Sequence, residues 1–501
     1  THRDSKIKTT IDVNLQKEAL KTVDFHLEDL EGNHIHNCAV LITDVRTGEV
    51  LTYIGNRQRD ANAYVDVIQS KRSTGSILKP LLYALSLEQS EILPNTLLPD
   101  IPSSFSGYRP ANFHESFDGA VPAGESLVRS LNVPAVYLLQ KHGVAKFLAE
   151  CQELGFEQMN QSSEHYGLSL ILGGAETNLW ELNRCYGYLA NQLHYFSEHN
   201  GEKDVSDYKL SLGPQHKASG INPQIRLKAG SIYNCFEQLR HLKRPSNELG
   251  WESFTSSKKV AWKTGTSFGH RDAWAVGITG DYVVSVWVGN DSGEGRNGLT
   301  GSTCAGPILF DLIDLLPNSE WFSPPFDDMN EVFFCEESGN LPGPDCLHLV
   351  KEWVPSNSKH GPSCEHHERH WLNPMTGLRV KRNCSSENMV HKTFFHLPPA
   401  QSLFYKSLHP EYEEIPPWSA ECLSTEQTIP IALVFPTDIS RISIPRDVTG
   451  ELQSLVLKAS HAQHDATLFW SLDNEYLGST KEIHQVSIVP SLGTHVLTIT
   501  D

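Results

Sequence analysis

The chain has 501 residues, 39% hydrophobic and 20% charged, with a formal net charge of −19, a composition that fits a globular protein of two or three domains. The acidic balance, without any basic run, argues against general nucleic-acid binding, because a phosphate-binding face needs clustered Lys and Arg. No stretch reaches the ~18 uninterrupted apolar residues of a membrane helix, since the longest candidate, residues 273–290, is broken at Gly280-Asp281. The chain opens at Thr1 with neither methionine nor a signal-like segment, and reads as a processed or excised piece of something longer.

Residues 11–30 carry Val13, Ala19, Leu20, Val23 and Leu27 near a helical period behind Asp12, a capping residue, and predict a first helix. Residues 38–43 and 49–55, joined by Asp44-Val45-Arg46-Thr47-Gly48, read as a β-hairpin that begins a sheet. From residue 73 to about 191 the pattern is mostly helical. It is interrupted by a Pro/Ser/Gly-rich excursion at residues 94–123, expected to lie over the surface. Ser130-Leu131-Asn132 ends one short helix and precedes another, and Gly173-Gly174 with Thr177-Asn178 leads into a capped helix. Residues 260–267, 273–279 and 282–288, rich in Val, Trp and Ile, predict a β-meander. After residue 316 prolines crowd a connecting region with few long apolar patterns. From residue 429 short β-type runs return at 431–435, 452–459, 466–472, 486–489 and 495–500, and predict a small β-sandwich with Trp470 in its core.

The chemistry is concentrated at Ser73-Thr74-Gly75-Ser76-Ile77-Leu78-Lys79-Pro80. If Ser76 opens a helix, the i, i+3 spacing sets the Lys79 amine on the same face one turn later, within reach of the hydroxyl. Gly75 permits a tight entry, Pro80 is tolerated in a first turn, and a helix N-terminus supplies unpaired N–H donors for an oxyanion. Ser-x-x-Lys also occurs at Ser5/Lys8, Ser206/Lys209, Ser256/Lys259 and Ser356/Lys359, so this pair gains meaning only from its company. That company is Ser130-x-Asn132 between helices and Lys263-Thr264-Gly265-Thr266 on a strand, in that order. Taken singly, these are a capping pair, a solvated strand lysine and a close-approach glycine.

The ordered set resembles the transpeptidase domain of class A penicillin-binding proteins, with Leu131 where related β-lactamases have Asp. The likeness extends to Thr9-Thr10-Ile11-Asp12, Tyr108-Arg109-Pro110-Ala111-Asn112-Phe113 and Arg271-Asp272-Ala273-Trp274, and Thr74 stands where many relatives have proline. The resemblance implies an α+β fold like that of the serine β-lactamases and penicillin-binding transpeptidases, an antiparallel sheet flanked by helices. The expected organisation is a transpeptidase domain at 1–318, a Cys/Pro-rich connector at 319–427 and an all-β, Ig-like sandwich at 428–501. It also implies a peptidoglycan D,D-transpeptidase acting outside the cytoplasmic membrane, in the periplasm, and acylated by β-lactams. Family members carry an N-terminal membrane anchor and a glycosyltransferase domain, neither of which is in this sequence.

By that resemblance Ser76 is the nucleophile, Lys79 its base and Ser130 a proton relay to the leaving amine. Asn132 holds the substrate amide, while Lys263, Thr264, Gly265 and Thr266 form the strand that binds the terminal carboxylate of a D-Ala-D-Ala stem peptide. The N–H groups of Ser76 and Thr266 form the oxyanion hole. The Lys263 ammonium and partial burial are expected to lower the Lys79 pKa. Asp272 and Trp274 are assigned structural roles. No cofactor and no metal are expected.

The partners implied are stem peptides, β-lactam antibiotics and cell-wall synthesis proteins recruited by the terminal β-domain. A reading from another class is a penicillin-binding scaffold with little turnover. In an exported, proline-rich connector, cystines Cys335–Cys346 and Cys364–Cys384 are favoured over a zinc site drawn from the same cysteines with His366, His367 and His370. Cys38, Cys151, Cys185, Cys235 and Cys304 are read as buried thiols, and Cys422 has no obvious partner.

Overall fold

The computed structural model describes residues 7–57, 65–103, 105, 108–114, 116–201, 208–214, 220–221, 223, 227–245, 257–382, 389–422, 431–436, 441–444, 453–463, 465–473 and 475–501. The first helix, α1 (Val13–Glu31), is capped as expected by Asp12, whose carboxylate accepts from the N–H groups of Asn14 and Leu15. The predicted hairpin follows as β1 (Asn37–Asp44) and β2 (Val50–Ile54), with Gly48 at φ 71° in the turn.

After β3 (Arg72–Ser73) come α2 (Lys79–Glu88), β4 (Leu97–Asp100), β5 (Gly119–Pro122), α3 (Ala123–Val128) and α4 (Asn132–His142). The chain continues through α5 (Val144–Glu153), α6 (Ser163–Tyr166), β6 (Glu176–Thr177), α7 (Leu179–Glu198) and α8 (Ala229–Arg240). The meander then forms from β7 (Ala261–Thr266), β8 (Asp272–Ile278) and β9 (Tyr282–Gly289), followed by α9 (Gly306–Asp314). The Pro/Ser/Gly-rich excursion is more than a surface loop, because β4 and β5 pair within it.

The central sheet has five antiparallel strands in the order β2-β1-β9-β8-β7. Because side chains alternate along a strand, Ala39 and Leu41 of β1 join the core that contains α2, α7 and α8. Val40 and Ile42 join the opposite core, with α1 and α9. Cover on both faces explains why these strands read as near-continuous apolar runs. Helix α2 is the most enclosed element, buried from Lys79 through Leu87.

The connecting region departs from expectation. It holds two antiparallel hairpins, β10 (Met329–Cys335) with β11 (Leu349–Pro355) and β12 (His367–Leu372) with β13 (Val390–Phe395), and then α10 (Pro399–Leu408). Their strands are half exposed and interleave charged with apolar side chains, so no long apolar pattern announces them. The cysteine expectation is also corrected. Cys335, Cys346 and Cys364 are free thiols, which rules out both favoured cystines, because the three sulfurs converge on His367 instead of pairing. Cys384 lies outside the described residues, and Cys422 is disulfide-bonded. The five cysteines read as buried thiols are buried and free.

The terminal region contains β14 (Ile431–Phe435), β15 (Leu455–His461), β16 (Thr467–Leu472), β17 (Glu475–Lys481), β18 (Gln485–Ile488) and β19 (Leu497–Thr500). They make two sheets, β14-β15-β18 and β17-β16-β19. Trp470 is fully buried, as expected, and its indole N–H donates to Thr480 Oγ1 at 2.8 Å. Strand β17 went unpredicted because it is a largely exposed edge strand carrying Gly478, Ser479 and Lys481. Among the described residues no helix is long and apolar enough to cross a membrane.

Candidate active site

The Ser76 segment is a tight turn over residues 75–78, entered through Gly75 at φ 52°, and α2 begins only at Lys79. Ser76 therefore precedes the helix rather than opening it. The Lys79 N–H still donates to Ser76 O at 3.3 Å, an i+3 bond of the 3₁₀ type that keeps the two side chains one turn apart.

Buried donors from other elements hold the turn. Trp274 Nε1 donates to Ser73 O at 2.8 Å, Tyr186 Oη to Ile77 O at 3.0 Å, and the Thr74 N–H to Ala175 O at 3.0 Å. The structural role expected for Trp274 thus lies directly behind the serine. Asp272, the other residue assigned a structural role, accepts from Trp287 Nε1 at 3.1 Å.

The strand carrying Lys263-Thr264-Gly265-Thr266 is β7, at the edge of the central sheet. Two glycines let it abut the serine turn. A Cβ on Gly75 would lie 2.6 Å from Thr266 O and 2.7 Å from Thr266 N, and one on Gly265 would lie 2.8 Å from Thr74 O. The Thr266 backbone is thus brought beside the turn. Thr264 and Thr266 are half-buried. Thr266 Oγ1 accepts from the Gly301 N–H at 2.9 Å, and among the described residues the Thr264 hydroxyl has no protein partner.

The two lysines meet at the α3–α4 connection. Lys79 Nζ donates to Ser130 O (2.8 Å), Leu131 O (2.9 Å) and Asn132 Oδ1 (2.7 Å). Lys263 Nζ donates to Ser130 Oγ and Thr264 O, both at 2.8 Å. Ser130 reaches this position with φ 56°, a left-handed conformation that costs a non-glycine residue energy and collects at functional sites.

Burial, and then the Lys263 charge, hold the Lys79 amine well below its ordinary pKa, while burial lowers Lys263 to about 7. Three acceptors around Lys79 suit an ammonium, whereas the low pKa favours a neutral amine. Burial of Lys79 and the second cation beside it favour the neutral amine. A neutral Lys79 keeps only two of these three bonds as donor and has a lone pair for a proton.

Asn132 engages both ends of its amide within the protein, since Oδ1 accepts from Lys79 and Nδ2 donates to Ala111 O at 2.7 Å. A residue given no role from sequence, Asn112, organises this corner. Its Oδ1 accepts from the N–H groups of Asn132 (2.9 Å) and Val133 (3.3 Å), capping α4 from a distant loop, because Leu131 offers no side-chain cap. Its Nδ2 donates to Asp100 Oδ1 (2.7 Å) and Ser116 O (3.0 Å). The only sequence signal was its place within Tyr108-Arg109-Pro110-Ala111-Asn112-Phe113. The eight expected site residues thus lie on three segments that adjoin one another, the Ser76 turn with the start of α2, the α3–α4 connection and β7.

Residues 38–193 match the model of the penicillin binding protein transpeptidase domain, and residues 420–501 match the penicillin-binding protein C-terminus family. The chain is 31% identical over 323 residues to penicillin-binding protein 1C of Escherichia coli (strain K12), covering 63% of this chain and 39% of that protein. It is 26% identical over 320 residues to penicillin-binding protein 1B of Haemophilus influenzae, covering 62% of this chain and 40% of that protein. The matches thus span well under half the length of these curated relatives. Among solved structures, PonA1 from Mycobacterium tuberculosis superimposes with a TM-score of 0.51 at 21% identity, over 64% of this chain and 86% of that one. The same protein in complex with penicillin V gives 0.51 and 21%, over 64% and 88%. These likenesses establish the fold.

Proposed function

The chain carries a penicillin-binding protein transpeptidase domain and a C-terminal region of the penicillin-binding protein C-terminus family, and from that premise we propose that it is a serine D,D-transpeptidase of peptidoglycan, acylated by β-lactams at Ser76. The observation that carries the reading is the pair of buried, pKa-lowered lysines joined through Ser130 beside the Ser76 turn.

In this reading neutral Lys79 takes the proton from Ser76 Oγ as the oxygen attacks the penultimate D-Ala carbonyl. The N–H groups of Ser76 and Thr266 stabilise the oxyanion, and such a donor is typically worth about 10²–10³ in rate. When the C–N bond breaks, the departing D-alanine amine takes its proton from Ser130 Oγ, which Lys263 and Lys79 resupply. Lys263 with the hydroxyls of Thr264 and Thr266 binds the terminal carboxylate. Asn132 holds the substrate amide after giving up its contact with Ala111 O. An amine from a second stem peptide then attacks the ester carbonyl and restores the Ser76 hydroxyl. Such chemistry belongs outside the cytoplasmic membrane, where peptidoglycan lies.

The test is intact-protein mass spectrometry after incubation with penicillin, with a Ser76→Ala variant alongside, followed by D-alanine release from a donor pentapeptide. A single adduct that is lost in the variant, together with D-alanine release, is the expected result. A folded protein that forms no adduct overturns the reading. An adduct without D-alanine release would favour a scaffold of low turnover, consistent with Lys79 being held by three acceptors in the resting cleft.

A further inference from the structure

We propose that Cys335, Cys346, Cys364 and His367 form a structural zinc site that clamps the connecting module together and against the transpeptidase domain. The four ligand atoms lie within 4.8 Å of one another. His367 Nδ1 is 3.7 Å from Cys335 Sγ, 3.6 Å from Cys346 Sγ and 3.3 Å from Cys364 Sγ. Zinc bonds of about 2.3 Å to sulfur and 2.0 Å to nitrogen place tetrahedral S···N edges at about 3.5 Å, so a zinc ion fits the space with little movement. A cystine instead needs two sulfurs about 2.05 Å apart, and all three thiols are free.

The surroundings are those of a ligand set. His367 Nε2 lies 3.1 Å from Glu337 Oε2, so a carboxylate orients the ring and leaves Nδ1 to face the sulfurs, as outer partners of metal-bound histidines do. The N–H groups of Ser338 and Gly343 point at Cys335 Sγ (3.4 Å) and Cys346 Sγ (3.2 Å). Cys335 and Cys364 are buried, and the His367 side chain is 5% exposed. Four protein ligands leave no open position, which marks the site as structural rather than catalytic. Three soft sulfurs with one imidazole favour zinc over magnesium or calcium.

The site joins three separate pieces of chain: the end of β10, the loop to β11 and the start of β12 with the residues before it. Apolar burial in this module is sparse, and a metal supplies the cross-link that a small core cannot. The same loop meets the transpeptidase domain. Ser338 O accepts from the Leu97 N–H at 3.1 Å, and Thr96 Oγ1 donates to Asn340 Oδ1 at 2.7 Å. Those contacts lie at the start of β4, whose last residue, Asp100, holds Asn112.

Elemental analysis of the full chain, purified under reducing conditions without chelator, tests the proposal. About one zinc per chain is expected, falling to near zero in Cys346→Ser and in His367→Ala and remaining in Cys304→Ser, which alters a buried thiol outside the cluster. If the two ligand variants do not fold, exchange of the wild-type chain with cobalt(II) must give the visible absorption of a tetrahedral thiolate site. A folded wild-type chain without metal, or peptide mapping that finds a disulfide between any two of the three cysteines, overturns the proposal. Iron in place of zinc overturns the metal assigned.

Discussion

Replacing Asn112 by alanine removes the oxygen that caps α4 and the amide that holds Asp100, while every residue proposed to contact substrate keeps its own side chain. Loss of a helix cap costs about 1 kcal/mol. Leaving the 1%-exposed Asp100 short of a donor adds about 1–3 kcal/mol. The first turn of α4 then loses its register against Lys79, because Asn132 is both the capped residue and a Lys79 acceptor. A misplacement on the order of 1 Å at a reacting centre lowers rates about 10²-fold, so acylation should slow by roughly that factor. The melting temperature should fall by about 4–16 °C, at about 2–4 °C per kcal/mol for the roughly 2–4 kcal/mol lost. The second-order rate with a fluorescent penicillin, measured beside a thermal melt, separates the two effects. Acylation within about twofold of wild type would refute the reasoning and leave Asn112 a cap of purely structural value.

Gly265→Ala should slow acylation about tenfold or more, because its Cβ falls 2.8 Å from Thr74 O and overpacking of about 1–3 kcal/mol pushes the serine turn from β7; a wild-type acylation rate in the folded variant would count against close strand–turn contact. The pH profile of acylation should be bell-shaped, since a falling pH protonates Lys79 and removes the base, while a rise through about 7 removes the Lys263 proton. A stopped-flow rate that keeps climbing on the alkaline side would show that the Lys263 charge is not needed.

Most of the transpeptidase fold and the grouping of the three motifs around the Ser76 turn were legible because they are written locally: a capping Asp12, alternating strand residues, and three short motifs in order. What was not legible depends on long-range closure. The Ser76 turn is held by hydrogen bonds from the Trp274 and Tyr186 side chains to Ser73 O and Ile77 O, from about a hundred residues or more downstream. Asn112 caps α4 across 20 residues, which no local capping rule detects. In the connecting region the Cys364-x-x-His367 doublet did carry a metal-ligand spacing, yet choosing its partners required knowing that Cys335 and Cys346 fold toward it. Strand β17 escaped because an exposed edge has little need of apolar side chains.

Helix α2, enclosed from Lys79 through Leu87, has a consequence for how the protein comes apart. Amides buried on every side exchange with solvent only through large openings, whereas frayed edges exchange through small ones. The base of the proposed reaction is thus rooted in the segment that should be last to open, and the exposed edge β17 belongs to the first. Capacity to be acylated should persist through partial unfolding of the periphery and vanish together with the slowest-exchanging amides, making covalent labelling a gauge of the global native population.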